Sequence, residues 1–260
     1  MTTMGGGEGR PGSRRRTVLR TAVAGGLGAA GLTAGARPAH AEDGGGRTRV
    51  SILLYDGFTA LDAVGPYEVL CRVPGVEVTT VACERGPVPT DTGELSLVAA
   101  RAMREVRRTE VLLIPGGGNR GTLAMMEDEG VHAWIRRLHR HTRWTTSVCT
   151  GSLILGAAGL LRGLPATTYW ASRPYLEKVG ATYTPGRFVE AGKVLTGAGV
   201  SAGMDMALHL TSRIADARTA QAVQLGIEYD PDPPYDTGSP EKADEELEEL
   251  ALKLIDDAAR

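Results

Sequence analysis

Along the chain, short continuous apolar runs alternate with stretches whose apolar residues recur at helical spacing. Val50 to Tyr55 is one such run, ended by Asp56-Gly57 as a buried strand is ended by its turn. A helix with Leu61, Val64, Val69 and Leu70 follows, and Gly65-Pro66 predicts that it splits there or starts its regular part at the proline. Val76 to Cys83 reads as a second strand, and the Gly/Pro-punctuated stretch from Gly86 to Ala99 as a β-hairpin excursion. Glu110 to Ile114 is a third buried strand that ends at Pro115-Gly116-Gly117-Gly118; helical stretches from Thr122 to Arg140 lead to a fourth, Trp144 to Val148. The small apolar residues from Gly151 to Leu161 predict a helix buried on most of its surface. Phe188 to Thr196, turning at Ala191-Gly192-Lys193, precedes a helix with Met204, Ala207, Leu208 and Ile214 on one face. Strands alternating with helices require an α/β fold with a mostly parallel sheet covered on both faces.

The two ends of the chain break this pattern. Arg14-Arg15-Arg16-Thr17-Val18-Leu19-Arg20 leads into an uncharged, small-residue apolar run from Thr21 to Ala36 and then to Ala39-His40-Ala41, a small-x-small cleavage site. The run is too short to span a bilayer, and with Arg15-Arg16 as the pair the segment resembles a twin-arginine export signal. The expected division is a signal over 1–41, a linker over 42–48, the α/β domain over 49–229 and a C-terminal appendage over 230–260. In that appendage Asp230-Pro231-Asp232-Pro233-Pro234 is a stiff linker, and Ser239-Pro240 is expected to cap an acidic helix. Its stripe of Leu247, Leu250, Leu254 and Ala258 would dock on the domain or on a second subunit. The membrane is then met only through the export signal, and the protein is expected outside the cytoplasm, in the periplasm or beyond it.

Charge narrows the function. Without residues 1–41 the chain loses six arginines and one glutamate, leaving 23 basic against 30 acidic residues and a net charge of −7, which disfavours nucleic acid as a partner. Three cysteines with no close Cys/His cluster signal neither a disulfide framework nor a metal site. Cys71 and Cys83 are read as buried free thiols, Asp205 as structural, and His132, His139 and His141, among Arg136, Arg137 and Arg140, as part of a solvated face.

Cys149 carries the candidate chemistry. It ends a strand, and small residues open a helix behind it, which is the arrangement of a nucleophile elbow. The helix N-terminus is expected to lower the thiol pKa and so favour the thiolate. Gly116-Gly117-Gly118, at the end of the neighbouring strand, would leave backbone N–H groups free to form an oxyanion-type site with the N–H of Thr150. Asp62, early in an otherwise apolar helix, is a candidate acid/base whose pKa burial and a nearby thiolate would raise.

The elbow, the Pro-Gly-Gly turn and Leu61-Asp62-Ala63-Val64-Gly65-Pro66 together resemble the ThiJ/PfpI superfamily, related to class I glutamine amidotransferase domains. The similarity runs from about Val50 to Pro240 and includes Ser147-Val148-Cys149-Thr150-Gly151-Ser152, Ala166-Thr167-Thr168, Trp170-Ala171 and Gly238-Ser239-Pro240, which points to the isonitrile hydratase branch. The resemblance implies a flavodoxin-like three-layer sandwich, a homodimer, no metal or organic cofactor, and a small-molecule substrate. It implies Cys149 as nucleophile, Asp62 as acid/base and Thr150 as the third catalytic position, with Gly117, Gly118, Tyr169 and Trp170 around the substrate. The implied reaction is hydration of an isonitrile to an N-substituted formamide. The alternatives are a glyoxalase- or deglycase-type enzyme acting on reactive carbonyls and a non-catalytic ligand-binding domain. Two positions depart from relatives: Thr150 stands where protease-like members carry histidine after the cysteine, and Tyr169 where the hydratase branch has histidine.

Overall fold

The structure is a computed structural model in which residues 47–259 are described; the expected export signal lies outside them. Seven strands form the central sheet in the order β10-β11-β7-β6-β1-β2-β5. In chain terms these are β1 (Thr48–Leu53), β2 (Val76–Ala82), β5 (Arg101–Ala102), β6 (Val111–Ile114), β7 (Trp144–Val148), β10 (Phe188–Ala191) and β11 (Val194–Gly197). All neighbours are parallel except β10 and β11, which form a hairpin across Gly192, where φ is +61°. The expected excursion is a separate two-stranded sheet of β3 (Gly86–Pro89) and β4 (Ser96–Ala99), and a second small sheet pairs β8 (Pro165–Ala166) with β9 (Thr182–Tyr183).

Helices flank the sheet as two groups. In one, α1 (Ala60–Leu70) packs on α6 (Ala202–Ile214), which also carries α7 (Ala217–Gly226). In the other, α2 (Asn119–Glu127), α3 (Glu129–His139) and α5 (Arg173–Lys178) surround α4 (Gly151–Ala157). The central strands read as unbroken apolar runs because both their faces are covered: Val111, Leu112, Leu113 and Ile114 are all fully buried.

Pro66 does not split α1, contrary to the sequence expectation; the helix runs unbroken from Ala60 to Leu70. Packing explains why the missing hydrogen bond is tolerated. Gly65 and Pro66 are buried where α1 crosses α6, and a methyl group added at Gly203 would lie 3.3 Å from Pro66 Cγ and 3.2 Å from Val148. The same close crossing fixes α1, and Asp62 with it, beside the end of β7.

Other expectations also change. Ser239-Pro240 opens only a single 3-10 turn, Pro240–Lys242, while the acidic helix α8 (Glu245–Ala258) is capped by Asp244, whose side chain accepts from Leu247 N–H. No residue of α8 is buried within the described chain. Cys71 and Cys83 are free but exposed, because the helix end and strand end that carry them lie at the rim of the fold. His132 is 3% exposed, with Nε2 against the carbonyl of Met125 at 3.0 Å, and half-buried His139 meets Thr145 Oγ1 at 2.8 Å. The basic stretch is therefore a solvated face only in its arginines and His141.

Candidate active site

The site lies at the C-terminal ends of β6 and β7, where open α/β sheets receive ligands. After Val148 the chain turns with Cys149 at φ +56°, one of two non-glycine residues with positive φ among those described. Such a backbone costs about 1–3 kcal/mol and persists only where its surroundings over-determine it. Here they do. Cys149 N–H donates to Ala198 O at 2.7 Å, and its carbonyl accepts from Thr168 Oγ1 at 3.1 Å and Ser152 Oγ at 3.0 Å. Behind the elbow a methyl group at Gly151 would fall 2.2 Å from the carbonyl oxygen of Ile114, so only glycine lets α4 start so close to β6.

Asp62 is fully buried opposite the cysteine. Its Oδ2 accepts from Gly116 N–H at 2.9 Å, its Oδ1 is buried without a nitrogen or oxygen partner, and the Cys149 thiol supplies a weak polar contact. Burial raises the Asp62 pKa to about 7, with a smaller push from Asp91, against the lowering effect of the Gly116 N–H and of Cys149. Cys149 moves the same way: burial first, then the charge of Asp62, push its thiol well above the ordinary range, opposed by hydrogen bonds from Thr150. This corrects the expectation of a thiol acidified by its helix. Burial dominates here over the hydrogen bonds from Thr150, which pull the other way.

The glycine turn is also corrected. None of its N–H groups is free to meet an oxyanion: Gly116 donates to Asp62, Gly117 to Thr150 Oγ1 at 3.0 Å, and Gly118 to Gly57 O at 3.0 Å. Gly117 and Gly118 are thus structural supports of the site. The glycine in contact with the chemistry is Gly116, which the sequence analysis placed in the turn but not among the residues around the substrate. A Cβ there would lie 2.7 Å from Thr150 N, and 2.8 Å from both Asp62 Oδ2 and Cys149 Cβ. The first residue of a Gly-Gly-Gly run gives no sign in sequence that it, and not its neighbours, takes the close approach. Thr122 was missed as well; its hydroxyl meets Thr150 Oγ1 at 2.9 Å and donates to Gly117 O, tying the turn to the elbow.

Tyr169 and Trp170 lie just beyond, their rings 5.5 Å apart. Burial and the nearby Cys149 raise the Tyr169 pKa, so its phenol remains a neutral donor. Both rings line a cavity of ≈ 570 Å³ whose inner wall includes Leu61, Thr168 and Ala198, which adjoin Asp62 or hydrogen-bond Cys149. Asp205, as expected, is structural: it accepts from Arg187 Nε at 2.6 Å and Tyr229 OH at 2.9 Å. No group of three or more His, Cys, Asp or Glu residues placed to hold a metal occurs among the described residues.

With this geometry in hand, comparison with known proteins is specific. The DJ-1/PfpI family model matches residues 48–213. Isonitrile hydratase of Pseudomonas putida is 42% identical over 205 residues, 79% of this chain and 89% of that relative. The crystal structure of a ThiJ/PfpI family protein from Pseudomonas syringae superposes with a TM-score of 0.76 at 37% identity, covering 82% of this chain and 90% of the other. Drosophila melanogaster DJ-1beta, at 21% identity and a TM-score of 0.64 over 70% of this chain and 98% of its own, shares the fold. The family match over residues 48–213, with the likeness in sequence and fold, places this protein in the DJ-1/PfpI family.

Proposed function

We propose that this protein hydrates an isonitrile, R–N≡C, to the N-substituted formamide, R–NH–CHO. The observation that carries the reading is the convergence of the Cys149 thiol and a buried carboxyl of pKa about 7 on one point, beside a glycine turn whose three N–H groups are all engaged. In isonitrile hydration the nucleophile and the proton are both delivered to the same terminal carbon. Addition to a carbonyl, as with methylglyoxal, instead develops charge on oxygen and needs donors aimed there. The engaged glycine N–H groups favour the first chemistry. The similarity to isonitrile hydratase supports it independently.

The Asp62 carboxylate takes the thiol proton as sulfur attacks the terminal carbon, and passes that proton to the same carbon, giving the thioimidate R–N=CH–S–Cys149. Asp62 then takes a proton from water as the water oxygen adds to this carbon and passes that proton to nitrogen, forming R–NH–CH(OH)–S–Cys149. Collapse breaks the C–S bond, and the hydroxyl proton returns through Asp62 to sulfur. The Thr150 hydrogen bonds hold the sulfur, and its hydroxyl, braced by Thr122 and Gly117, holds the turn. Exposure of purified protein to an alkyl isonitrile and to methylglyoxal tests the reading. Formamide should form, and Cys149→Ala should abolish it; turnover of methylglyoxal alone would replace hydration with carbonyl chemistry.

Export by the twin-arginine-type segment and assembly as a homodimer belong to the same proposal. Replacing Arg15 and Arg16 by lysine should retain the protein in the cytoplasm, and sedimentation should give twice the chain mass.

A further inference from the structure

The connection from β5 back to β6 passes over β2 and β1, a crossover that usually takes about a dozen or more residues and a helix. Here residues 103–110 make it, as one 3-10 turn (Met103–Glu105) followed by residues of no regular structure. So short a segment cannot cover the strands as a helix does, and a cavity of ≈ 380 Å³ opens between them. The segment itself is held in place: Trp134 Nε1 donates to Met103 O at 2.9 Å, and Thr109 Oγ1 to Arg49 O at 2.8 Å. Arg49 and Glu77 put the cavity near the N-terminal ends of β1 and β2, away from the elbow at the C-terminal end of β7.

The lining is charged in an unbalanced way. Ser51 and Thr79 are register partners on adjacent parallel strands, and both face the cavity. Ser51 is 4% exposed, yet neither hydroxyl has a hydrogen-bond partner among the described residues. Around them stand Arg49, Arg101, Arg107 and Arg108. Arg49 is held by Glu110, and the two carboxylates of the lining are turned to cations outside it, Glu77 to Arg47 at 3.7 Å and Glu105 to Arg85 at 2.6 Å. Arg101, Arg107 and Arg108 have no acidic partner among the described residues. Three uncompensated guanidinium groups thus surround two open hydroxyls, in a chain whose residues 42–260 carry a net charge of −7.

We propose that this cavity is a separate ligand site that takes a small soluble phosphate monoester, with Ser51 and Thr79 donating to the phosphate oxygens and Arg101, Arg107 and Arg108 supplying the counter-charge. Guanidinium forks match phosphate oxygens in pairs, and a dianion answers three uncompensated cations better than the single charge of a carboxylate. Buried hydroxyls left without a protein partner gain what they lack from such an acceptor. The volume falls within the range of small-molecule sites, and bare phosphate would fill only part of it, which leaves room for the organic portion of an ester. The site does not depend on the reaction at Cys149.

Calorimetric titration of the full chain with glycerol 3-phosphate, glycerate and inorganic phosphate tests the proposal. Glycerol 3-phosphate should bind once per chain, about tenfold or more tightly than glycerate and more tightly than inorganic phosphate. Arg101→Gln and Arg108→Gln, whose side chains are exposed, should each leave the unfolding midpoint unchanged and weaken binding about tenfold. Ser51→Ala should weaken it about threefold or more. Cys149→Ala should bind as the wild type does, which separates this site from the elbow. No saturable binding of glycerol 3-phosphate below about 10 mM overturns the proposal, as does binding that both arginine variants leave unchanged or that Cys149→Ala removes. Inorganic phosphate or glycerate bound as tightly as the ester overturns the choice of ligand.

Discussion

The elbow around Cys149 and the C-terminal helix α8 both look strongly patterned in sequence, yet they have opposite fates. From Val148 to Ser152 every residue is buried, and the chain is confined by contacts closer than a methyl group allows. In α8 the apolar stripe stays largely open among the described residues: Leu250, Leu254 and Ile255 are 49%, 61% and 59% exposed. A helical period specifies a helix, but burial needs a partner surface. Backbone strain, as at Cys149, can be held only where burial and hydrogen bonding leave no alternative.

The sharpest way to separate the two regions is Asp62→Asn. The Asp62 carboxyl has its pKa raised from 3.8 to about 7 on folding, so the folded state favours the protonated form. Its contribution is intact below pH 3.8 and is lost as pH rises through about 7, where burying the charge costs up to about 4 kcal/mol. Asp62→Asn should therefore raise the unfolding midpoint at pH 8, with a gain that shrinks towards pH 4, while activity falls by about two to four orders of magnitude. A stability change independent of pH would mean that the carboxylate is not held in a desolvated site.

Gly151→Ala should cost about 3 kcal/mol or more, because the new methyl meets backbone that cannot move without separating α4 from β6; equilibrium denaturation measures it, and a loss below 1 kcal/mol breaks the claim that the elbow is over-determined. Thr168→Val, which removes one of the hydroxyl donors to the Cys149 carbonyl, should cost about 1 kcal/mol. At the weak end, Leu254→Lys in α8 should change the stability of the isolated chain by less than about 0.5 kcal/mol. A larger loss would show that the stripe is covered in solution.

The same contrast explains what the sequence made legible. The strands, the hairpin excursion, the elbow and the pairing of Cys149 with Asp62 follow from local patterns: unbroken apolar runs, glycine punctuation, and a lone carboxylate in an apolar helix. The rest depends on distance between segments far apart in the chain. Pro66 stays inside α1 because Gly203 lets α6 come close, and Gly116 outranks Gly117 and Gly118 because it alone sits against Asp62 and Cys149. The glycine N–H groups expected to meet an oxyanion are occupied by a carboxylate, a hydroxyl and a carbonyl from other parts of the chain. The direction of the thiol pKa turned on burial, which depends on packing and not on the local sequence.

The central claim is that Asp62 and Cys149 work as a pair that must lose one of two protons before it can react. The pH dependence of kcat/KM for isonitrile hydration tests it most directly. The account predicts a rate that climbs about tenfold per pH unit below about 7 and levels above it, with that limb missing from the residual rate of Asp62→Asn. A wild-type profile flat from pH 5 to 9, or one in which Asp62→Asn keeps the limb near 7, would contradict it.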